Sequence, residues 1–315
     1  MRSLRLGASN LKNFVTFVLF VVIDFLTTKD TKHTKEEAQS KSMRNRLLIP
    51  LLPLILSGCP MEEKFIFFPA AEIDHTPRDI GLAYDDVFFT AVDGVRLNGW
   101  LVPYTGATTT LLWFHGNAGN ISHRLENMKR LHDNVRANLF IIDYRGYGRS
   151  EGAVSEEGTY RDAQAALRYL RAREDIDPKG IVLFGQSLGA AVAAELAGRE
   201  DCLALILEAP LASIREMARA AFPFLPIGPL LRTRYEVVEK IKRVKTPLLV
   251  LHGDQDEVVP FEQGKKVFAA APGRKEFYAI RGAHHNDAFI VGGDAYYAAL
   301  KNFIERAAAG QLRSS

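Results

Sequence analysis

Cysteine is scarce in this chain: two in 315 residues, Cys59 and Cys202. Two cysteines do not make a disulfide framework, and no Cys/His group has the spacing of a metal site, so no metal or organic cofactor is implied. An excess of one charge is lacking too, with a net charge of only +3. No basic block is interleaved with aromatics, which argues against a nucleic-acid partner. No repeat of solenoid period is visible. The N-terminal apolar run at 14–23 is closed by Asp24, short of the roughly 20 residues that a membrane span needs. What remains is a chain that is 47% hydrophobic, which suits one large α/β domain or two small ones.

The N-terminal region reads as two starts in series. Residues 27–35 are polar and repetitive, with nothing to pack, and are expected to be disordered. At Met43 a second pattern begins. Arg44 and Arg46 form a positive segment, and residues 47–56 an apolar one of secretory length that contains Pro50 and Pro53. It ends in Leu56-Ser57-Gly58-Cys59, which resembles the lipobox of bacterial lipoproteins. That resemblance implies a diacylglyceryl group on Cys59, a mature N-terminus there, and a protein lipid-anchored in the bacterial cell envelope. The alternatives are a signal anchor or an ordinary cleaved signal. The expected division is an upstream over-extension at 1–42, a lipoprotein-type signal at 43–58, a tether at 59–80 and a folded domain at 81–310. The tether's apolar part is 65–69, and the sequence leaves open whether it docks on the domain or on a membrane.

The domain alternates strand-like and helix-like stretches. Two apolar runs, 87–92 and 95–102, flank Asp93-Gly94 and predict an antiparallel hairpin with a two-residue turn. Strands are then predicted at 109–114, 139–142, 181–184, 203–207, 248–251 and 277–280. Helices are predicted from a cap at Ser122 to about 133, at 156–173, 188–198, 214–221, 261–270 and 294–307. Strands alternating with helices imply βαβ units and right-handed crossovers. The expected fold is therefore α/β, a mostly parallel central sheet with helices on both faces and an antiparallel N-terminal hairpin. Ligands of such sheets bind beyond the carboxyl ends of the strands, which is where the polar motifs fall.

Foremost among these is Gly185-Gln186-Ser187-Leu188-Gly189, between an apolar strand and an Ala-rich helix. This is the context of a nucleophile elbow, in which a serine on a strained turn projects from the sheet. Gly185 and Gly189 flank it because a Cβ would crowd the turn and because glycine tolerates unusual dihedrals. A serine hydroxyl needs a base, usually a histidine oriented by a carboxylate. Downstream stand Asp254 and Asp256, then His284 and His285.

These motifs, with His115-Gly116-Asn117-Ala118-Gly119-Asn120 and Asp143-Tyr144-Arg145-Gly146-Tyr147-Gly148-Arg149-Ser150, resemble the α/β-hydrolase superfamily. The likeness is greatest to its compact branch of bacterial serine hydrolases and eukaryotic protein depalmitoylases, over roughly residues 81–308. By position, the resemblance implies Ser187 as nucleophile, Asp256 as acid and His285 as base, with the backbone N–H groups of Leu188 and Asn117 as oxyanion hole. His284 departs from the family pattern, which has a small residue there, and on spacing alone either histidine could be the base. Glu208 could replace Asp256, Asp254 is expected to bond its own loop, and His115, Asp143 and His252 are read as strand-end structural residues. Gly146-Tyr147-Gly148 superficially suggests a phosphate loop, but the third glycine is misplaced for a dinucleotide fingerprint, which rejects that reading.

Residues 209–246 fall where this superfamily inserts its lid, and the insertion is short. Phe222, Phe224, Leu225, Ile227, Leu230 and Leu231 are candidates to line an acyl groove, or merely to cover the sheet. The expected activity is hydrolysis of carboxylic esters or thioesters through an acyl-enzyme on Ser187, on a small-molecule or lipid-like acyl substrate. The alternatives are a serine peptidase of the same fold and a non-catalytic, lipid-anchored binding module. A haloalkane or epoxide hydrolase would need aspartate at position 187. Oligomeric state is left open.

Overall fold

The computed structural model describes residues 61–221 and 231–312. Cys59 and the groove candidates Phe222, Phe224, Leu225, Ile227 and Leu230 lie outside the described residues. The described residues fall into two compact units. In the smaller, a short helix α1 (Met61–Ile66) presents Glu62, whose carboxylate accepts the Arg232 N–H at 3.1 Å.

The larger unit is built on one eight-stranded sheet. Its strands are β1 (Asp85–Thr90), β2 (Arg96–Val102), β3 (Thr110–Phe114), β4 (Asn138–Ile142), β5 (Ile181–Gln186), β6 (Ala204–Glu208), β7 (Leu248–Gly253) and β8 (Lys275–Ile280). Their order is β1-β2-β4-β3-β5-β6-β7-β8. β1 and β2 pair antiparallel, β2 joins β4 antiparallel, and every other pairing is parallel. The strands β3, β4 and β6 are buried at every position. That is why they read as unbroken apolar runs rather than alternating ones.

Helices α2 (Leu125–Val135), α3 (Glu156–Arg171), α4 (Leu188–Ala197), α5 (Ile214–Ala221), α6 (Val237–Ile241), α7 (Phe261–Ala270), α8 (Ala288–Val291) and α9 (Gly293–Ala308) connect or follow the strands. All ten residues of α4 are buried. Its alanines keep it slim enough to lie directly on the sheet.

Local details differ from expectation for identifiable reasons. The hairpin is present, but its loop has three residues. The Gly94 N–H bonds the Ala91 carbonyl at 3.0 Å, and the Ala91 N–H bonds the Val95 carbonyl at 2.9 Å. Gly94 takes a left-handed φ of 85°, the pattern of a turn closed by a bulge. Ser122 is not the cap of the helical segment that leads into α2. Asn120 is: its side chain accepts the Ser122 N–H at 2.9 Å and the Ser122 hydroxyl at 2.6 Å. A short 3-10 turn, Ile121–Arg124, intervenes before α2. Ser155 does cap α3, accepting the Gly158 N–H at 3.1 Å.

Residues 68–74 run along the loop that follows β3. Pro69 bridges Gly119 in parallel fashion. The Gly119 N–H bonds the Phe68 carbonyl and the Ala70 N–H bonds the Gly119 carbonyl, each at 3.0 Å, while the Gly148 N–H bonds the Ala70 carbonyl at 2.9 Å.

Candidate active site

The site lies where β3, β5, β7 and β8 end. β5 runs into α4 through Ser187, whose φ of 53° and ψ of −113° put a non-glycine residue in a sparsely populated region. Strain of this kind persists where the surroundings over-determine it. Here the Ser187 N–H bonds the Glu208 carbonyl at 2.8 Å. The flanking glycines serve close approach and not conformational freedom, since neither has a positive φ. A Cβ on Gly185 would stand 2.3 Å from the Gly189 carbonyl oxygen, and one on Gly189 would stand 2.0 Å from that of Phe114.

His285 and Asp256 come from the loops after β8 and β7. His285 Nε2 lies 3.1 Å from Ser187 Oγ, and its Nδ1 lies 2.8 Å from Asp256 Oδ2. A carboxylate only accepts, so Nδ1 carries the hydrogen and Nε2 is left to accept from the serine hydroxyl. His284 is no competitor: its side chain is 57% exposed against 10% for His285, and its Nδ1 faces the exposed Glu257 at 3.1 Å. Asp287 fixes this turn by accepting the His284 N–H at 2.7 Å.

Asp256 is buried and well provided with donors. Its Oδ1 accepts the N–H groups of Val258 at 2.9 Å and Val259 at 2.7 Å. His252 Nε2, which bonds the Val259 carbonyl at 2.9 Å, also lies 3.3 Å from Asp256 Oδ2. Burial pushes this carboxyl up, yet the hydrogen bonds from His252, His285 and the Val259 N–H together hold it well below the usual carboxylate range. His252 is thus the second histidine on Asp256. Asp254 bonds the neighbouring strand end rather than its own loop, accepting the Gly282 N–H at 2.7 Å.

A hydrogen-bonded chain beneath the elbow escaped the sequence reading. The Trp113 indole N–H donates to Gln186 Oε1 at 2.8 Å, Gln186 Nε2 donates to Glu208 Oε1 at 3.0 Å, and the Tyr296 hydroxyl donates to Glu208 Oε2. Burial raises the Glu208 carboxyl, against the pull of its bonds to Tyr296 and Gln186. Its two oxygens are engaged by Gln186 and Tyr296, and the contact to His285 is made by Asp256. Gln186 occupies a variable position of the elbow motif, so only its neighbour Glu208 carried a sequence signal.

The loop after β3 is held from several sides. Asn117 Oδ1 accepts the Ala118 N–H at 2.9 Å, the Tyr147 hydroxyl at 2.8 Å and the Phe68 N–H at 3.2 Å. The Tyr144 hydroxyl donates to the His115 carbonyl at 2.9 Å. Arg124 Nη2 donates to the Ala118 carbonyl at 2.6 Å and the Gly116 carbonyl at 3.3 Å. Leu188 opens α4, where the first N–H groups have no acceptor within the helix. Among the described residues no group of three or more His, Cys, Asp or Glu could hold a metal ion, and no helix is long and apolar enough to cross a membrane. Burial pushes the half-buried Cys202 thiol up to about 12.

The strand order, the elbow and the aligned Ser187, His285 and Asp256 define a fold class, and sequence comparison names it. Residues 109–226 match the α/β hydrolase fold family, and residues 226–288 match the family described as serine aminopeptidase, S33. The α/β hydrolase domain-containing protein WAV2 of Arabidopsis thaliana is 36% identical, with 78% of this chain and 88% of that protein covered. The chain belongs to the α/β-hydrolase family. An uncharacterized protein of Mycobacterium tuberculosis is also 36% identical, over 86% of this chain and 99% of its own length. Protein bem46 of Schizosaccharomyces pombe is 34% identical, over 77% and 85%. Among solved structures, the Pyrococcus furiosus esterase Pf2001 superposes with a TM-score of 0.64 at 20% identity, over 76% of this chain and 98% of that one. Est1E of Butyrivibrio proteoclasticus, with ferulic acid bound, gives 0.61 at 20% identity, over 71% and 100%. At such identities the likeness is one of fold.

Proposed function

We propose that the protein is a serine hydrolase that cleaves carboxylic esters or thioesters through an acyl-enzyme on Ser187. The observation that carries this reading is the continuous alignment of Ser187 Oγ, His285 and Asp256 at 3.1 and 2.8 Å. Ser187 Oγ attacks the carbonyl carbon while its proton passes to His285 Nε2, and Asp256 stabilises the imidazolium. The negative charge on the carbonyl oxygen is met by the N–H groups of Leu188 and Asn117. Collapse expels the alcohol or thiol, which takes the proton from His285. Water, deprotonated by the same nitrogen, then attacks the acyl carbon and releases the acid and Ser187.

The esterases of the same fold support a small acyl substrate. A second reading, peptide hydrolysis, is favoured by the serine aminopeptidase match. Both are tested on aryl esters from acetyl to palmitoyl, one thioester and one aminoacyl amide, with Ser187→Ala as blank. Ester turnover that vanishes in the blank is expected. Amide turnover alone would transfer the reading to the peptidase, and no Ser187-dependent turnover would sink both.

We further propose the lipid anchor at Cys59, on the lipobox-like sequence alone. Mass spectrometry of membrane-extracted protein should find a lipidated Cys59 at its start. A mature N-terminus elsewhere would end that reading.

A further inference from the structure

His115 and Asp143 take no part in the reaction described above, yet both are completely buried beside it. They follow the neighbouring parallel strands β3 and β4, whose register pairs Phe114 with Ile142. The two side chains therefore leave the sheet side by side.

Their hydrogen-bond inventory does not balance for a neutral ring. His115 Nδ1 lies 2.7 Å from the Gly116 carbonyl oxygen. A carbonyl only accepts, so Nδ1 carries a hydrogen. In a neutral imidazole Nε2 would then be a bare acceptor. It faces Asp143 Oδ1, another acceptor, at 3.4 Å, and that oxygen already accepts the Ile121 N–H at 3.0 Å. Neither His115 Nε2 nor Asp143 Oδ2 has any hydrogen-bond partner among the described residues. The backbone at Gly148 closes over the carboxylate, where a Cβ would stand 2.0 Å from Oδ2. Two facing, buried acceptors are costly, and a second proton on the ring turns the Nε2–Oδ1 contact into a donor–acceptor pair.

Of the titratable groups around the ring, the two tyrosines accommodate this charge, whereas Arg124 is a like charge that Asp143 offsets. Tyr144 packs against it in a tilted pair with centroids 4.7 Å apart and Tyr147 in an edge-to-face pair at 5.5 Å, within the distance at which an aromatic ring can interact with a cation. Both phenols are held above their ordinary value by burial. Arg124 is the other cation. It lies within electrostatic reach of Asp143 and donates to the same Gly116 carbonyl at 3.3 Å.

We infer that His115 is an imidazolium paired with Asp143, and that it acts as a positioning residue by holding and polarising the Gly116–Asn117 peptide. The inference rests on the proposed function, in which the N–H of that peptide meets the oxyanion. A charged donor at the Gly116 oxygen draws electron density through the amide and makes the Asn117 N–H a stronger donor. It also fixes the peptide plane against the elbow, where a Cβ on Gly116 would lie 3.5 Å from Ser187 Cβ.

Two measurements on the full chain test it. Long-range proton–nitrogen correlation at pH 7, with the ring assigned through bonds from its own backbone, should show hydrogens on both nitrogens of His115. A single ring N–H overturns the inference whether or not the protein turns over esters. In the second, Asp143→Asn keeps an acceptor for the Ile121 N–H and removes the charge. On a short aryl ester its kcat should fall by about 10-fold or more with KM within about 2-fold, the pattern of a weakened oxyanion hole. An aryl boronic acid, which forms a tetrahedral adduct on Ser187, should weaken by the same factor. Unchanged kcat and boronate affinity in folded Asp143→Asn would overturn the positioning role. Absence of Ser187-dependent turnover in the unsubstituted protein would instead sink the hydrolase reading and leave the ring protons to be judged alone.

Discussion

Asp256 and Glu208 are both buried carboxyls at strand ends beside Ser187, and their surroundings drive them in opposite directions. Asp256 receives two backbone N–H groups and two histidines and is held low. Glu208 receives one amide and one phenol, and burial raises it. The first is equipped to carry a charge opposite an imidazolium. The second, with both oxygens accepting, is a strut that ties β5, β6 and α9 together. Substitution separates the two roles. Asp256→Asn preserves shape and leaves His285 without the acceptor that sets its tautomer, and turnover should fall about 10³–10⁴-fold. Glu208→Gln keeps a carbonyl acceptor for the Gln186 amide and turns its NH2 to the Tyr296 hydroxyl oxygen, which can accept, and should leave turnover within about 3-fold, whereas Glu208→Leu strands Gln186 and Tyr296 at about 1–3 kcal/mol of stability. Steady-state kinetics with urea unfolding of all three variants checks this. A Glu208→Gln loss as large as that of Asp256→Asn would transfer the acid role to Glu208.

At the scale of elements, the segment 68–74 and the loop after β3 behave as one device. The strap's carbonyls at Ala70 and Glu72 accept from Asn120 Nδ2, while Asn120 Oδ1 caps the following turn. Ala70→Pro removes the N–H that bonds the Gly119 carbonyl. We expect faster amide exchange at Gly119 and Gly148, a several-fold lower kcat, and a melting temperature lowered by only a few degrees, since about 1–3 kcal/mol of local bonding is lost from a large domain. Unaltered exchange at Gly119 would show that the strap does not hold the loop. This device also marks where sequence reading ran out. The strands, the elbow and the order of Ser187, Asp256 and His285 were legible, because burial on both sheet faces imposes apolar runs and a serine on a strained turn imposes small neighbours. The strap was not, because backbone–backbone bonds between residues 68–70 and Gly119 leave no trace in side-chain type. The Asp143–Ser150 motif was visible, but its work was not. Tyr144 and Tyr147 act through hydroxyls that reach 29 and 30 residues back along the chain. The third hairpin residue escaped because Asp93-Gly94 suits both a two-residue turn and a bulged three-residue one.

Across the larger unit, charge sets a pH response whose sign follows from these shifts. Asp93 is held low, burial notwithstanding, by the Arg145 and Arg161 guanidinium groups, and Asp133, Asp175 and Glu216 are held low by Lys129, Arg173 and Lys266. A carboxyl depressed on folding contributes stability that is present above its unfolded value near 4 and lost as pH falls through its folded value. Exposure decides how much each pair matters. Asp175 is 62% exposed and its pair is screened, while Asp93 is 26% exposed and grips a buried arginine at 2.8 and 3.1 Å. Two buried groups oppose this. Asp162 is pushed up to about 6 by burial against the pull of Arg145, and Glu208 is raised as well. For both the folded state takes the proton first; for Asp162, acidification from about 6 toward 4 relieves a cost, and Glu208 acts in the same direction. Stability should therefore hold or rise slightly from pH 7 to 5 and then fall below about 4. Asp93→Asn should flatten the fall, and Asp162→Asn should remove the rise. Urea midpoints at half-unit steps from pH 7 to 3 measure both, and 0.5 M salt should weaken the exposed pairs more than the Asp93 and Asp256 contributions. An acid limb for Asp93→Asn that runs parallel to that of the unsubstituted protein would place the depressed carboxyls elsewhere, with Asp256 the next to test, because its carboxylate is buried against two histidines.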